Sequence, residues 1–207
     1  MQADKPRRSN RDRTEATRAA LIAAARKLFV EKGYAETGTP EIVASANVTR
    51  GALYHHFADK AALFRAVIEA EARAVAQQIE RDASDAYSPL TALLAGGDAY
   101  FAAMTEPGRA RLLLLDGPAV LGQAEMARID EETGGAELLE GLKAAAASGE
   151  LEQAPLGALA DILSAAFDRG ALAIAEGKPA SEYKQAIRVI LNALFAKTAR
   201  GSRAAPE

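Results

Sequence analysis

The sequence contains no cysteine, only two histidines, and few aromatic residues, 5% in all. Without sulfur it can form no disulfide, no thiolate nucleophile and no cysteine-ligated zinc or iron–sulfur centre, a composition that suits the cytoplasm. The two histidines, His55 and His56, are neighbours. Adjacent residues on a helix point in different directions, so the pair does not converge on one metal. With no histidine pair at i and i+4, a metal hydrolase or di-iron bundle lacks its usual ligands, and a Ser-His-Asp triad would have to use one of these same residues. A glycine loop beside a strand, of the kind that cradles phosphate, is also missing; Gly96–Gly97 and Gly134–Gly135 read as breaks or kinks. Long apolar runs are absent too: a charged stretch follows Met1, and each later apolar segment is broken by glycine, charge or a turn before it could span a bilayer. These absences lead to the expectation of a soluble, cytoplasmic protein that is not an enzyme, takes no metal or cofactor and has no membrane partner.

What is present is ordinary for a globular chain. The 207 residues, 49% hydrophobic and 26% charged, suffice for one sizeable domain or a small one joined to a larger. The charge is unevenly spread: residues 1–60 hold 11 Lys and Arg against 7 Asp and Glu, net +4, whereas residues 61–207 hold 14 against 21, net −7. Arg7, Arg8, Arg11 and Arg13 crowd the N-terminal arm, a local footprint for a polyanion. The chain accordingly divides into a basic head, 1–60, and an acidic body, 61–207.

Periodicity predicts an all-α fold, with no convincing strand and no repeat or heptad tract. Leu21, Ile22, Ala25, Leu28 and Phe29 recur at helical spacing, and Gly33 stops a first helix over roughly 13–32. Thr39 reads as the cap of a short second helix, with Pro40 at its first position and Glu41 in an acidic first turn. Asn47, which tolerates left-handed backbone, ends it. Thr49 caps a third helix that opens on Arg50 and Gly51 and buries Leu53 and Phe57. Asp59 caps a long fourth helix whose stripe is Leu63, Phe64, Val67, Ile68, Val75 and Ile79. Further helices are expected over roughly 88–104, 107–115, 120–133, 135–148, 156–176 and 181–199, giving about nine to ten, with breaks that include Gly117–Pro118 and a frayed end at 201–207.

Two short helices across a tight turn, backed by a longer one, form the arrangement that presses a helix end into a DNA major groove. Thr49, Arg50, Gly51 and His55 then face outward. Arg50 serves either to read guanine or to hold phosphate; Thr49 either touches DNA or only caps; Gly51 either takes part or only gives clearance. The N-terminal arginines either solvate a tail or add salt-dependent phosphate and minor-groove contacts. The run Gly51-Ala52-Leu53-Tyr54-His55-His56-Phe57-Ala58-Asp59-Lys60, followed by Leu63-Phe64, resembles the DNA-binding region of the TetR family of bacterial transcriptional regulators, and the resemblance extends over about residues 13–68. It implies an N-terminal three-helix helix-turn-helix domain followed by a divergent helical domain for ligand binding and dimerisation. Thr49, Arg50 and Gly51 become the leading recognition positions, with Tyr54 and His55 at the DNA surface, Thr39 on a phosphate and Lys60 near the backbone. Asn47 stands where the family more often has glycine, and Pro40 and Glu41 are less usual there.

The resemblance also implies a homodimer, most often a repressor released by a small molecule. Its partners would be a palindromic double-stranded DNA operator, a second copy of the chain and a small-molecule effector. The last two helices would form the dimer interface through Leu159, Ile162, Leu163, Ala166, Phe167, Gly170 and Ile174 on one and Tyr183, Ile187, Ile190, Leu191, Leu194 and Phe195 on the other. A ligand cavity would draw on Tyr100, Phe101, Met104, Leu112, Leu113, Leu115, Leu121, Met126 and Phe167, with Asp116, Gln123 and Arg128 adding polarity; core packing is the competing explanation for each. Few aromatics and many Leu and Ala favour a lipophilic, weakly polar ligand. An activator or a ligand-independent regulator fits the same sequence, since that sign depends on operator position. A helical enzyme or an interaction module that has lost DNA binding are the alternatives of a different class. The first would show turnover that survives neutralising Arg50 and Tyr54, the second no retention of genomic DNA at low salt.

Overall fold

The structure is a computed structural model that describes residues 10–83, 86–152 and 154–196. Among the described residues every regular element is helical: α1 (Asn10–Glu36), α2 (Thr39–Ser45), α3 (Arg50–His56), α4 (Lys60–Ala83), α5 (Pro89–Met104), α6 (Arg109–Arg111), a π-helical turn (Leu112–Asp116), α7 (Gly117–Leu121), α8 (Gln123–Glu131), α9 (Gly134–Ala147), α10 (Leu156–Ala175) and α11 (Ala180–Ala196). With the continuous run 109–121 taken as one, these are ten helices in an all-α fold. None of the described helices is long and apolar enough to cross a membrane. The chain forms two compact units, the first ending at Glu69 and the second beginning at Ala70.

In the first unit α1 packs against α2 and α3. Leu21, Ala25, Phe29, Ile42 and Leu53 have no exposed surface, and neither do Leu63 and Phe64 of α4. The rings of Phe29, Tyr34 and Phe64 interlock with centroids 5.0–5.7 Å apart. The opening turns of α4 thus belong to this core, which is why the unit ends at Glu69 and not at the change of charge near residue 60. Gly33, at φ 82°, breaks α1 where its conformational freedom is needed, and Asn47 takes the left-handed turn at φ 52°. The Thr49 hydroxyl accepts from the Ala52 amide at 3.1 Å and Asp59 Oδ1 from the Ala62 amide at 2.7 Å, so both act as caps. Thr39 does not. The first amides of α2, Glu41 and Ile42, donate to the Gly38 carbonyl at 3.2 and 3.3 Å, so Gly38 takes the cap position and the Thr39 hydroxyl is left for other work.

In the second unit α5 packs against α9, α10 and α11. Gly96–Gly97 is no break: α5 runs through it, and a Cβ on Gly97 would stand 2.9 Å from the Phe167 ring, so the missing side chain is what admits that ring. The expected break at Gly117–Pro118 also falls inside a continuous run. Pro118 has no N–H for the Leu114 carbonyl, and the Gly117 amide donates instead to Leu112, five residues back, which is the π register. The interruption comes at Gly122, where φ is 84°.

Candidate nucleic-acid interface and internal cavity

The first turn of α3 is bare. Thr49, Arg50 and Gly51 are exposed, as are Tyr54 and His55 one turn later. The Arg50 guanidinium lies 5.5 Å from the centre of the Tyr54 ring. Hydrogen bonds with Thr39, first, and with Arg50 draw the Tyr54 hydroxyl below its ordinary pKa. Thr39, freed from capping, therefore meets Tyr54 of α3 from the start of α2. A Cβ added at Gly51 would meet only the Thr49 hydroxyl, at 3.9 Å, so nothing in this chain requires a glycine there. Glu41, an acid on this side, is held by Lys32 at 2.8 Å, which offsets its charge. His56 is half-buried and its pKa is lowered by burial first, then by the charges of His55 and Arg18. Arg11, paired with Glu15 at 2.9 Å, and Arg13 are exposed in the opening turns of α1, whereas Arg7 and Arg8 lie outside the described residues.

Within the chain, Lys60 closes the end of α1. Its ammonium donates to the carbonyls of Tyr34 at 2.9 Å, Thr37 at 3.1 Å and Ala35 at 3.4 Å, and sits 4.3 Å from the centre of the Tyr34 ring. Three donors meet three carbonyls at and just past the end of α1. This was not legible in the sequence because it depends on where α4 begins relative to the end of α1.

A cavity of about 650 Å³ opens within the second unit. Val75 and Ile79 of α4, Leu113 and Leu114 of the π turn and Leu138 of α9 form much of its apolar wall. Of the expected ligand residues, Tyr100, Met104, Leu113, Gln123, Met126 and Phe167 line it; Phe101, Leu112, Leu115, Leu121, Asp116 and Arg128 do not. Phe101 is buried on the other side of α5, with its ring 2.9 Å from where a Gly170 Cβ would be. Helical spacing puts Leu112 and Leu115 on one face, but the π register turns Leu113 and Leu114 to the cavity and leaves Leu115 53% exposed. Asp116 Oδ2 lies 3.3 Å from Arg111 Nε.

Sequence reasoning missed two carboxylates. Asp168 accepts from the Tyr100 hydroxyl at 2.6 Å. Burial raises its pKa, and burial, then the Asp168 charge, raises that of Tyr100 well above the ordinary phenol value. Asp130 on α8, which keeps part of its surface in contact with solvent, is pushed up to about 6, first by desolvation and then by the Asp168 charge, against the hydrogen bond that it accepts from the Gly135 amide. A Cβ on Gly135 would stand 2.5 Å from Asp130 Oδ2, so the glycine pair read as a break is the seat of a carboxylate. The available signal was a charged residue beside Ile129 and beside Phe167, at the margin of each helix's apolar face.

The sign of these shifts makes a prediction. A carboxyl whose folded pKa exceeds its unfolded value favours folding below the unfolded pKa, and that contribution is lost as pH rises through about 6. Asp130→Asn should therefore raise the melting temperature at pH 7.5, with the gain vanishing near pH 4. Thermal unfolding followed by circular dichroism across that range checks it; a gain independent of pH contradicts it.

The faces of α10 and α11 are also sorted. Leu163, Phe167, Gly170, Ile187, Leu191 and Phe195 are buried within the single chain, and Leu159, Ala166, Ile174, Tyr183 and Leu194 are half-buried. The large apolar side chains left outside are Ile162 at 67% exposure, Val189 at 57% and Ile190 at 42%.

Residues 21–67 match the family described as bacterial regulatory proteins, tetR family, and residues 90–197, about half of the chain, match the tetracyclin repressor-like C-terminal domain. The chain belongs to the TetR family of bacterial transcriptional regulators. It is a DNA-binding regulator of that family, whose members are not enzymes. A TetR-family transcriptional regulator from Pectobacterium atrosepticum is 30% identical and superposes with a TM-score of 0.69 over 97% of this chain and all of that one. The HTH-type transcriptional repressor BepR of Brucella suis is 44% identical over 52 residues, 25% of each chain. The HTH-type transcriptional regulator TtgR of Pseudomonas putida is 40% identical over 62 residues, 30% of each. This TetR-family chain thus spans about a quarter to a third of the length of the curated relatives that it matches first.

Proposed function

We propose that this TetR-family regulator is a homodimeric repressor that reads a palindromic operator through α3 and is released when a small molecule occupies the cavity. The observation that carries the reading is Gly51. Glycine weakens a helix relative to alanine, and here no neighbour within the chain benefits from the missing side chain. The beneficiary is external: a surface that must approach the α3 backbone closely, flanked by Arg50 and by the hydroxyls of Thr39 and Tyr54. For dimerisation, Ile162, Val189 and Ile190 on the last two helices offer the outward apolar surface. Two copies related by a two-fold axis carry two reading helices and suit half-sites one DNA turn apart, about 34–36 Å. For release, Val75 and Ile79 of α4 line the cavity, and α4 starts shortly after α3 ends. A ligand with unequal affinity for two settings of α4 shifts the population that binds DNA.

Relatives lend support without deciding the sign. BepR is by its name a repressor, FasR of Mycolicibacterium smegmatis an activator, and the structure of RolR, 20% identical with a TM-score of 0.67, is a complex with resorcinol.

The test combines selection and substitution. Purified protein should retain an inverted repeat from a pool of genomic fragments. Gly51→Ala should be more stable by about 0.5 kcal/mol and yet bind that repeat about ten-fold less tightly, equivalent to about 1.4 kcal/mol. A variant that is stabilised and binds as before would remove Gly51 from the interface.

A further inference from the structure

The charged groups of the cavity are of one sign. Asp130, Glu137, Glu140 and Asp168 line it, and no Lys, Arg or His is among its described lining residues. Glu140 is paired with Lys143 at 2.8 Å, and Arg128 on α8 is engaged by Glu125 and Glu132 outside the lining. Asp130 and Asp168 are met by neutral donors, the Gly135 amide and the Tyr100 hydroxyl. Asp168 is half-buried with no counter-charge among the lining residues, which is costly, and its charge also raises the pKa of Asp130. Beside them stand the rings of Tyr100 and Phe167, with centroids 5.7 Å apart, and an apolar wall. Its volume, about 650 Å³, suits a drug-sized molecule.

Carboxylates and aromatic faces in an apolar enclosure recognise organic cations: the carboxylates answer the charge, the ring quadrupoles add to it, and the wall takes the hydrocarbon. An anion there meets repulsion that no lining cation offsets, and a neutral molecule leaves both charges unbalanced. On the reading that this cavity is the effector site, we propose that the effector is a lipophilic organic cation, an amine or quaternary ammonium, whose charge is held by Asp130 and Asp168 against the rings of Tyr100 and Phe167. This departs from the weakly polar ligand expected from composition, because composition counts residues over the whole chain, whereas the described lining of the cavity collects acidic residues and no basic one.

The test uses the full chain and three probes with the same alkyl tail: decyltrimethylammonium, 1-decanol and decanoate, in equilibrium dialysis at pH 7.5. The cation should bind about ten-fold or more tightly than either counterpart. Asp130→Asn and Asp168→Asn, which keep side-chain volume, should each reduce that preference while decanol binding persists. Equal or tighter binding of decanol or decanoate, a preference that survives both substitutions, or no binding of any probe overturns the proposal. Release of bound operator is measured in parallel. A cation that binds without releasing DNA refutes the effector reading and leaves the cavity chemistry standing; release by decanol or decanoate alone does the reverse.

Discussion

Arg109→Met should lower the unfolding free energy of the second unit by about 3–5 kcal/mol, the largest single effect expected in this molecule. Arg109 Nε donates to Glu71 Oε2 at 2.9 Å, and the two side chains are only 12% and 9% exposed. Its Nη1 also donates to the Ala103 carbonyl at 2.7 Å, at the end of α5. The guanidinium therefore ties α4 to the junction of α5 and α6. Methionine keeps the apolar length of the side chain and removes the charge, leaving the Glu71 carboxylate buried without this partner. Changing both residues, Arg109→Met with Glu71→Met, should recover most of the loss, because a buried carboxylate deprived of this guanidinium is more expensive than the absence of the bond itself. Urea unfolding of the four proteins of this cycle checks the prediction. A double variant no more stable than the single one would show that hydrogen-bond geometry dominates.

Arg50→Ala should weaken specific DNA binding by about 1–3 kcal/mol, roughly 5- to 150-fold, with little change in stability. The side chain is exposed and its contacts within the chain are with Tyr54, so few packing interactions are lost. Competition binding at several salt concentrations separates its two possible roles. If the guanidinium reads a base, preference at one position of each half-site relaxes and the salt slope is kept. If it holds phosphate, binding weakens evenly across sequences and the slope falls by about one. Tyr54→Phe serves as the control, removing the hydroxyl that joins Thr39 to Arg50 while keeping the ring. Unchanged affinity and unchanged sequence preference in Arg50→Ala would take this residue out of the interface.

Much of the DNA-binding half was legible because its determinants are local. Thr49, Asp59, Asn47 and Gly33 act within one or two turns of themselves, through caps, a left-handed turn and a broken helix, and the structure places each as its chemistry requires. Thr39 was misread as a cap and the intrachain contacts of Lys60 were not foreseen, for one shared reason. A hydroxyl and an ammonium declare what they can bond, but their partners, Tyr54 in one case and the carbonyls ending α1 in the other, belong to segments distant in the chain.

The acidic half shows the limit more sharply. Helical periodicity reported which positions are apolar, and so marked Tyr100, Met104, Met126 and Phe167 as candidates for the cavity. It could not separate them from Phe101 and Leu112, because burial in a core and burial around a void demand the same residue types. The π turn, set by Pro118 and Gly117, altered which leucines face inward, and only the packed helices brought Asp130 beside Asp168. By itself the sequence determined the all-α class, the helix-turn-helix and the excess of positive charge at its head, since these rest on hydrogen bonds and charges close along the chain. The tertiary structure alone decided the chemistry of the cavity and the outward face of α10 and α11. Both depend on which surfaces remain when helices far apart in sequence have buried one another.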